Sequence, residues 1–227
     1  MELLCVPGAG GSARAFRPWV AALAPELTVR PLNLPGRGRD TPVSSLVEAA
    51  TRLMARIPAD EPYALAGHSM GALIAYELAR QVCAEGTLAP PEFLVVVAAR
   101  PPHLSSGAAV TGLLDAEDDE FLDGLVALGF ADRAARNSPM RALFVPTLRE
   151  DLRLLAGYQR VRAEPVPVDL LAWHGLADPS TSEAVTAEWA GYTSAGFAAA
   201  AFDGGHSFPF DRTAEVAERL RAHLNVH

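Results

Sequence analysis

The stretch Tyr63-Ala64-Leu65-Ala66-Gly67-His68-Ser69-Met70-Gly71-Ala72-Leu73-Ile74-Ala75-Tyr76 holds the fold of this chain in miniature. It opens on a short apolar run, turns through Gly-x-Ser-x-Gly, and continues into a helix carrying Leu73, Tyr76 and Leu78. Strand, sharp turn and helix are the context in which a serine is presented above the end of a sheet as a nucleophile. The serine in such a turn sits in a strained backbone conformation, and bulk at Gly67 or Gly71 would collide with the adjoining strand or helix. His68 reads as a packing residue of the turn.

Outward from this unit, short apolar runs alternate with helical patterns. Residues 3–6, 27–32, 63–66, 93–98, 168–173 and 197–202 read as buried strands. Ser45 with Glu48 three residues on suggests a capping box opening a helix that reaches Ile57, and residues 213–224 form the closing helix. This alternation predicts an α/β fold, a mostly parallel central sheet flanked by helices. Residues 103–164 interrupt the pattern and carry no convincing strand, so they are expected to form an inserted helical lid. Within it an acidic first turn at Asp115, Glu117 and Asp118 precedes the apolar positions Phe121, Leu122, Leu125 and Leu128, and Leu148, Leu152 and Leu155 repeat the pattern. Most of these faces are expected to pack on the body, and some to line an acyl-binding cavity.

The chain has 227 residues, 50% of them apolar, and is expected to fold as one domain over 1–227. No charge-free apolar run approaches the roughly 20 residues of a membrane-spanning helix. The N-terminus lacks a basic region followed by a signal-like apolar stretch, which predicts a soluble cytoplasmic protein without a membrane partner. A formal charge of −8 argues against nucleic acid as a partner, since binding a phosphate backbone requires clustered cations. Cys5 and Cys83 lack metal-ligand spacing and read as small apolar residues, so neither a disulfide framework nor a zinc site is indicated, and the serine chemistry leads to the expectation of no metal and no bound cofactor.

A serine hydroxyl needs a base to take its proton and an acid to fix that base's tautomer, in the chain order Ser, Asp or Glu, His. His206, in Asp203-Gly204-Gly205-His206-Ser207-Phe208 after the last strand, is the expected base, ahead of His103, His174, His223 and His227. Asp178, in His174-Gly175-Leu176-Ala177-Asp178-Pro179 after the fifth strand, is the expected acid, ahead of Asp203, which sits where a turn residue is expected. The candidate catalytic residues are therefore Ser69, Asp178 and His206. An oxyanion requires backbone donors fixed beforehand. Met70 supplies one, and Pro7-Gly8-Ala9-Gly10-Gly11-Ser12 supplies the other, assigned to Ala9 with Gly8 as the alternative. That loop lacks the GK[ST] ending of a phosphate-binding loop and the GxGxxG fingerprint.

With those positions placed, the chain resembles a type II, or editing, thioesterase of polyketide and nonribosomal peptide synthases, within the α/β-hydrolase superfamily. The resemblance rests on Pro7-Gly8-Ala9-Gly10-Gly11-Ser12 with Phe16 and Trp19, Leu34-Pro35-Gly36-Arg37 with Arg39, Gly67-His68-Ser69-Met70-Gly71-Ala72, and Leu148-Arg149-Glu150-Asp151 with Tyr158. It implies hydrolysis of acyl thioesters from the phosphopantetheine arm of an acyl or peptidyl carrier protein, with Ser69, Asp178 and His206 in the family's catalytic positions. Carrier proteins are commonly acidic, so Arg14, Arg17, Arg37 and Arg39 are candidates for docking as a group, each alternatively a solvated side chain or loop anchor. The competing readings are a carboxylesterase or acyltransferase on small free substrates, and a non-catalytic binding protein on the same fold.

Overall fold

Each apolar run becomes a strand in the computed structural model, which describes residues 1–38, 40–105, 107–160 and 164–224. The strands are β1 (Glu2–Val6), β2 (Thr28–Pro31), β3 (Tyr63–His68), β4 (Phe93–Val97), β5 (Asp169–Gly175) and β6 (Phe197–Phe202). They form one sheet in the order β2-β1-β3-β4-β5-β6, every neighbouring pair parallel. Before the lid come helices α1 (Arg17–Ala22), α2 (Leu46–Leu53) and α3 (Met70–Glu85). The lid carries α4 (Gly107–Thr111), α5 (Asp118–Ala127), α6 (Arg133–Arg136) and α7 (Arg141–Ala156), and α8 (Glu183–Ala187), α9 (Phe208–Asp211) and α10 (Thr213–Leu224) follow.

Side chains alternate across the strands and so build two apolar layers. Leu4, Val6, Leu65, Leu94, Val96 and Leu170 face α2, α3 and the lid. Leu3, Cys5, Ala64, Phe93, Val95 and Trp173 face α1 and α10. The chain starts inside the sheet at β1, goes to β2 at one edge, and returns to β3 on the other side of β1. The connections leaving β1 and β3 therefore diverge to opposite faces and open a crevice at the carboxyl ends of the strands, where ligands bind in open α/β sheets.

Several boundaries differ from expectation for local reasons. β3 runs on through Gly67 and His68 because Gly67 pairs with Val6 and Val96, and His68 with Val97. His174, expected just after a strand, lies inside β5 and is 5% exposed. α2 ends at Leu53, and Met54–Arg56 tighten into a 3₁₀ turn before the extended Ile57. Its cap is half of a capping box. Ser45 Oγ accepts the Glu48 N–H, while the Glu48 carboxylate takes the N–H and hydroxyl of Ser44.

Phe121, Leu122 and Leu125 of α5 are buried in the core, as the packing reading expects. The far end of the lid is held to α3 by a buried charge. Glu77 is fully buried, and its carboxylate accepts from Tyr158 Oη at 2.8 Å, Arg160 Nε at 2.7 Å and Arg80 Nε at 3.0 Å. A buried carboxylate is tolerated only with such a set of donors. Glu77→Ala leaves the Tyr158 hydroxyl without its acceptor, and Arg80 and Arg160 with the partly exposed Glu164 as their remaining carboxylate. It is expected to cost about 2–3 kcal/mol, read as a lower urea midpoint at unchanged m-value.

Candidate active site

Ser69 stands between β3 and α3 with φ 55° and ψ −123°, a region that disfavours any side chain. The conformation is enforced by its surroundings. Its N–H donates to Val97 O at 2.8 Å, and the flanking glycines leave no room for alternatives. A Cβ on Gly67 would lie 2.3 Å from Gly71 O, and one on Gly71 2.3 Å from Val6 O. Met70 is the first residue of α3, so its amide belongs to a helix N-terminus, favourable for negative charge.

Asp178 follows β5 in a tight turn and is 5% exposed. Its Oδ2 lies 2.9 Å from His206 Nδ1. Oδ1 accepts the Ser180 N–H at 2.8 Å and the Ser180 hydroxyl at 2.6 Å, and Oδ2 also accepts the Thr181 hydroxyl at 2.9 Å. Burial alone would push this carboxyl up. The hydrogen bond and charge of His206, then the Ser180 donors, outweigh it and hold Asp178 below its ordinary range. Ser180 Oγ is also 3.2 Å from His206 Nδ1, so it touches both groups. Sequence reasoning did not single out Ser180 or Thr181. The signal available was Asp-Pro-Ser-Thr, a pattern in which the aspartate takes the following N–H and hydroxyl donors.

His206 occupies the loop after β6, which folds back so closely that a Cβ on Gly175 would lie 2.5 Å from Gly204 O. His68 supports that loop from below. Its Nε2 is 3.0 Å from His206 O, and its ring meets those of His206 and Phe210 at 5.0 Å each. Burial, with the neighbouring His206, pushes the His68 imidazole down to about 3, so it packs as a neutral ring. Among the other histidines, His103 stacks on Tyr192, and His223 lies edge-on to Phe93. Asp203 is exposed.

Ser69, Met70 and His206 line one cavity of about 180 Å³ at the crevice. Gly8 and Ala9 line it from the β1 side, and Leu73, Leu148, Leu152, Leu155 and Phe130 supply apolar wall. Leu148, Leu152 and Leu155 of α7, with Phe130 and Ser105, are thus lid positions that face the cavity. In the 7–12 loop the Gly10 N–H goes to Asp151 Oδ2 at 2.7 Å and the Gly11 N–H to Gly8 O at 3.0 Å.

The four arginines considered for docking divide. Arg14 and Arg17 are exposed. Arg37 is a loop anchor, bonded to Gly11 O and to the Asp151 carboxylate. Arg39 lies outside the described residues. Among the described residues no group of three or more His, Cys, Asp or Glu side chains is gathered as a metal requires, and no helix is long and apolar enough to cross a membrane.

The thioesterase domain family matches residues 1–224. Gramicidin S biosynthesis protein GrsT of Aneurinibacillus migulanus is 29% identical over 232 residues, covering 100% of this chain and 90% of that protein. Thioesterase PikA5 of Streptomyces venezuelae is 30% identical, covering 100% of this chain and 82% of its own. Among solved structures, RedJ, the thioesterase from the prodiginine biosynthetic pathway in Streptomyces coelicolor, has a TM-score of 0.83 at 32% identity over 100% of this chain and 89% of its own. ClbQ, from the colibactin NRPS/PKS pathway, has a TM-score of 0.87 at 26% identity over 99% and 97%. A match running from the first strand to the end of α10 takes in every layer of the sheet and the lid between them, and on it the chain belongs to the thioesterase domain family.

Proposed function

We propose that this chain hydrolyses acyl thioesters carried on the phosphopantetheine arm of acyl or peptidyl carrier proteins, clearing stalled or aberrant units from polyketide or nonribosomal peptide synthases. Ser69 is the nucleophile, His206 the base and Asp178 its partner, with the Met70 and Ala9 amides receiving the oxyanion. The observation that carries this reading is the 2.9 Å contact of His206 Nδ1 with a buried Asp178, on a loop lining the same cavity as the strained Ser69. The relatives named for gramicidin S biosynthesis and for the prodiginine pathway support the choice of setting.

The chemistry follows from the contacts. Asp178 accepts the Nδ1 proton of His206, which leaves the Nε2 lone pair to take the Ser69 hydroxyl proton. Ser69 Oγ bonds to the thioester carbonyl carbon, and its oxygen becomes an oxyanion facing the two amides. The C–S bond breaks, and the thiolate leaves with the proton held on His206. Water then attacks the acyl-serine by the same route in reverse, His206 taking its proton and returning one to Ser69. No step calls for a metal or bound cofactor.

The test compares turnover of one short acyl group on a phosphopantetheinylated carrier protein and on a small thiol. Under this reading kcat/KM is higher for the carrier-bound form. Hydrolysis confined to oxygen esters, with thioesters inert, would instead favour the small-substrate esterase.

A further inference from the structure

The side chain least expected near the 7–12 loop is Asp151, which comes from the lid, 141 residues after Gly10. We propose that Asp151 is a positioning residue for the oxyanion site, tying this loop to α7 so that the Ala9 amide is in place only while the lid helix is seated. The inference rests on the assignment of Ser69 and Ala9 made above.

Asp151 is 6% exposed, and one of its oxygens serves two partners. Oδ2 accepts the Gly10 N–H at 2.7 Å and pairs with an Arg37 terminal nitrogen. The other terminal nitrogen of Arg37 donates to Gly11 O, so the arginine closes a bridge from the lid carboxylate back to the loop. Leu148, one turn earlier on α7, packs on the same point, where a Cβ on Gly10 would lie 3.0 Å from the Leu148 Cβ. Gly10 has φ +67°, so its lack of a side chain provides both the backbone turn and the close approach of the helix.

Ala9 is thereby held between two supports. On its N-terminal side, Gly8 abuts the serine turn, where an added Cβ would be 3.0 Å from His68 Nδ1 and 3.3 Å from Ser69 Cβ. That support belongs to the sheet. On its C-terminal side the support is α7, which also supplies Leu148, Leu152 and Leu155 to the cavity wall. A loop with glycine at 8, 10 and 11 has little stiffness of its own, so a displaced α7 leaves the Ala9 amide without a fixed direction. Displacement of a catalytic group by about 1 Å costs roughly 10²-fold in rate. The consequence is a site whose chemistry is switched by the element that encloses its substrate. An open lid exposes Ser69 to water, with the oxyanion site unformed.

The test uses the full chain and one small ester, so that it does not depend on carrier recognition. Asp151→Ala and the near-isosteric Asp151→Asn are compared with native protein for kcat, KM, melting temperature and inhibition by an alkylboronic acid, which forms a tetrahedral adduct on Ser69. Arg153→Ala, which removes only an exposed 3.8 Å pair on the same helix, is the control and is expected to behave as native. Expected is a fall in kcat of about 10–100-fold for Asp151→Ala with KM within about twofold, and a parallel loss of boronate affinity. Asp151→Asn keeps an acceptor for Gly10 but loses the charge for Arg37, and is expected to fall between the two. The proposal is overturned if a folded variant keeps native kcat, if the loss lies wholly in KM, or if boronate affinity is unchanged. It is equally overturned if both variants are unfolded at the assay temperature, since Asp151 is then a folding residue. Failure of native protein on thioesters with the boronate pattern intact would sink the proposed substrate and leave the positioning role standing.

Discussion

Ser69→Ala is expected to remove about six orders of magnitude from kcat on thioesters while leaving the fold in place, because in the proposed mechanism its hydroxyl forms the acyl intermediate. Alanine fits the site sterically, and the strained backbone is fixed by Gly67, Gly71 and the Val97 carbonyl. The melting temperature should therefore change little. Asp178→Asn separates two contributions. The amide would present an N–H where His206 Nδ1 now meets an oxygen, which favours the tautomer with its proton on Nε2, facing the serine. About 10⁴-fold in kcat is then lost with the geometry retained. If Ser69→Ala retains measurable burst-phase acylation, the nucleophile has been misassigned. Acid titration carries a further sign. The Asp178 carboxyl is depressed on folding, so its stabilisation is complete above its ordinary value of about 3.8 and drains away as the pH falls below that.

Gly71→Ala is the change expected to cost the most stability. An added Cβ would stand 2.3 Å from Val6 O and 2.4 Å from Pro7 O, both backbone atoms at the end of a strand paired on its two sides. Neither can retreat by rotating a side chain. The result is a loss on the order of 3 kcal/mol or more, about 6 °C or more in Tm for a chain of this size. Activity should fall too, since Pro7 leads directly into Gly8 and Ala9. Gly86→Ala is the comparison. That residue is the left-handed C-cap of α3, with nothing within 4 Å of an added Cβ, and its replacement should cost only about 1 kcal/mol. Equal losses at the two positions would show that steric contact at Gly71 is not the cause.

What local sequence could say about the fold was nearly complete. Six apolar runs between Gly- and Pro-rich turns became six parallel strands, because a strand buried on both faces is a continuous apolar word. The serine turn, the acidic turn after β5 and the histidine loop after β6 were also placed by order along the chain, and the structure brings Asp178 against His206. What stayed hidden depends on pairing between distant segments. Glu77 lies on a helix whose pattern would allow any exposed acid, and only the arrival of Tyr158 and Arg160 explains its burial. Arg37 could be weighed as a docking residue because nothing near it in the chain announces Asp151. Ser180 was passed over because a hydroxyl in a turn has many local uses, and its contact with His206 exists only once β6 lies beside β5.

The lid is not uniform in what it demands of its sequence. Gly129 abuts Pro179, where a Cβ would lie 2.2 Å from the ring, and Phe130 meets the His206 ring edge-on at 5.8 Å. Yet α6, immediately after, buries no residue at all. Substitution at Arg133, Ala134 or Ala135 is expected to leave the core intact, whereas Arg136, paired with Asp119 and Asp123, and the capping Asp132, in contact with Ser207, are the positions that tie this helix down. The short α6 sequence is thus free to drift at its exposed positions while the groups around Ser69 stay fixed.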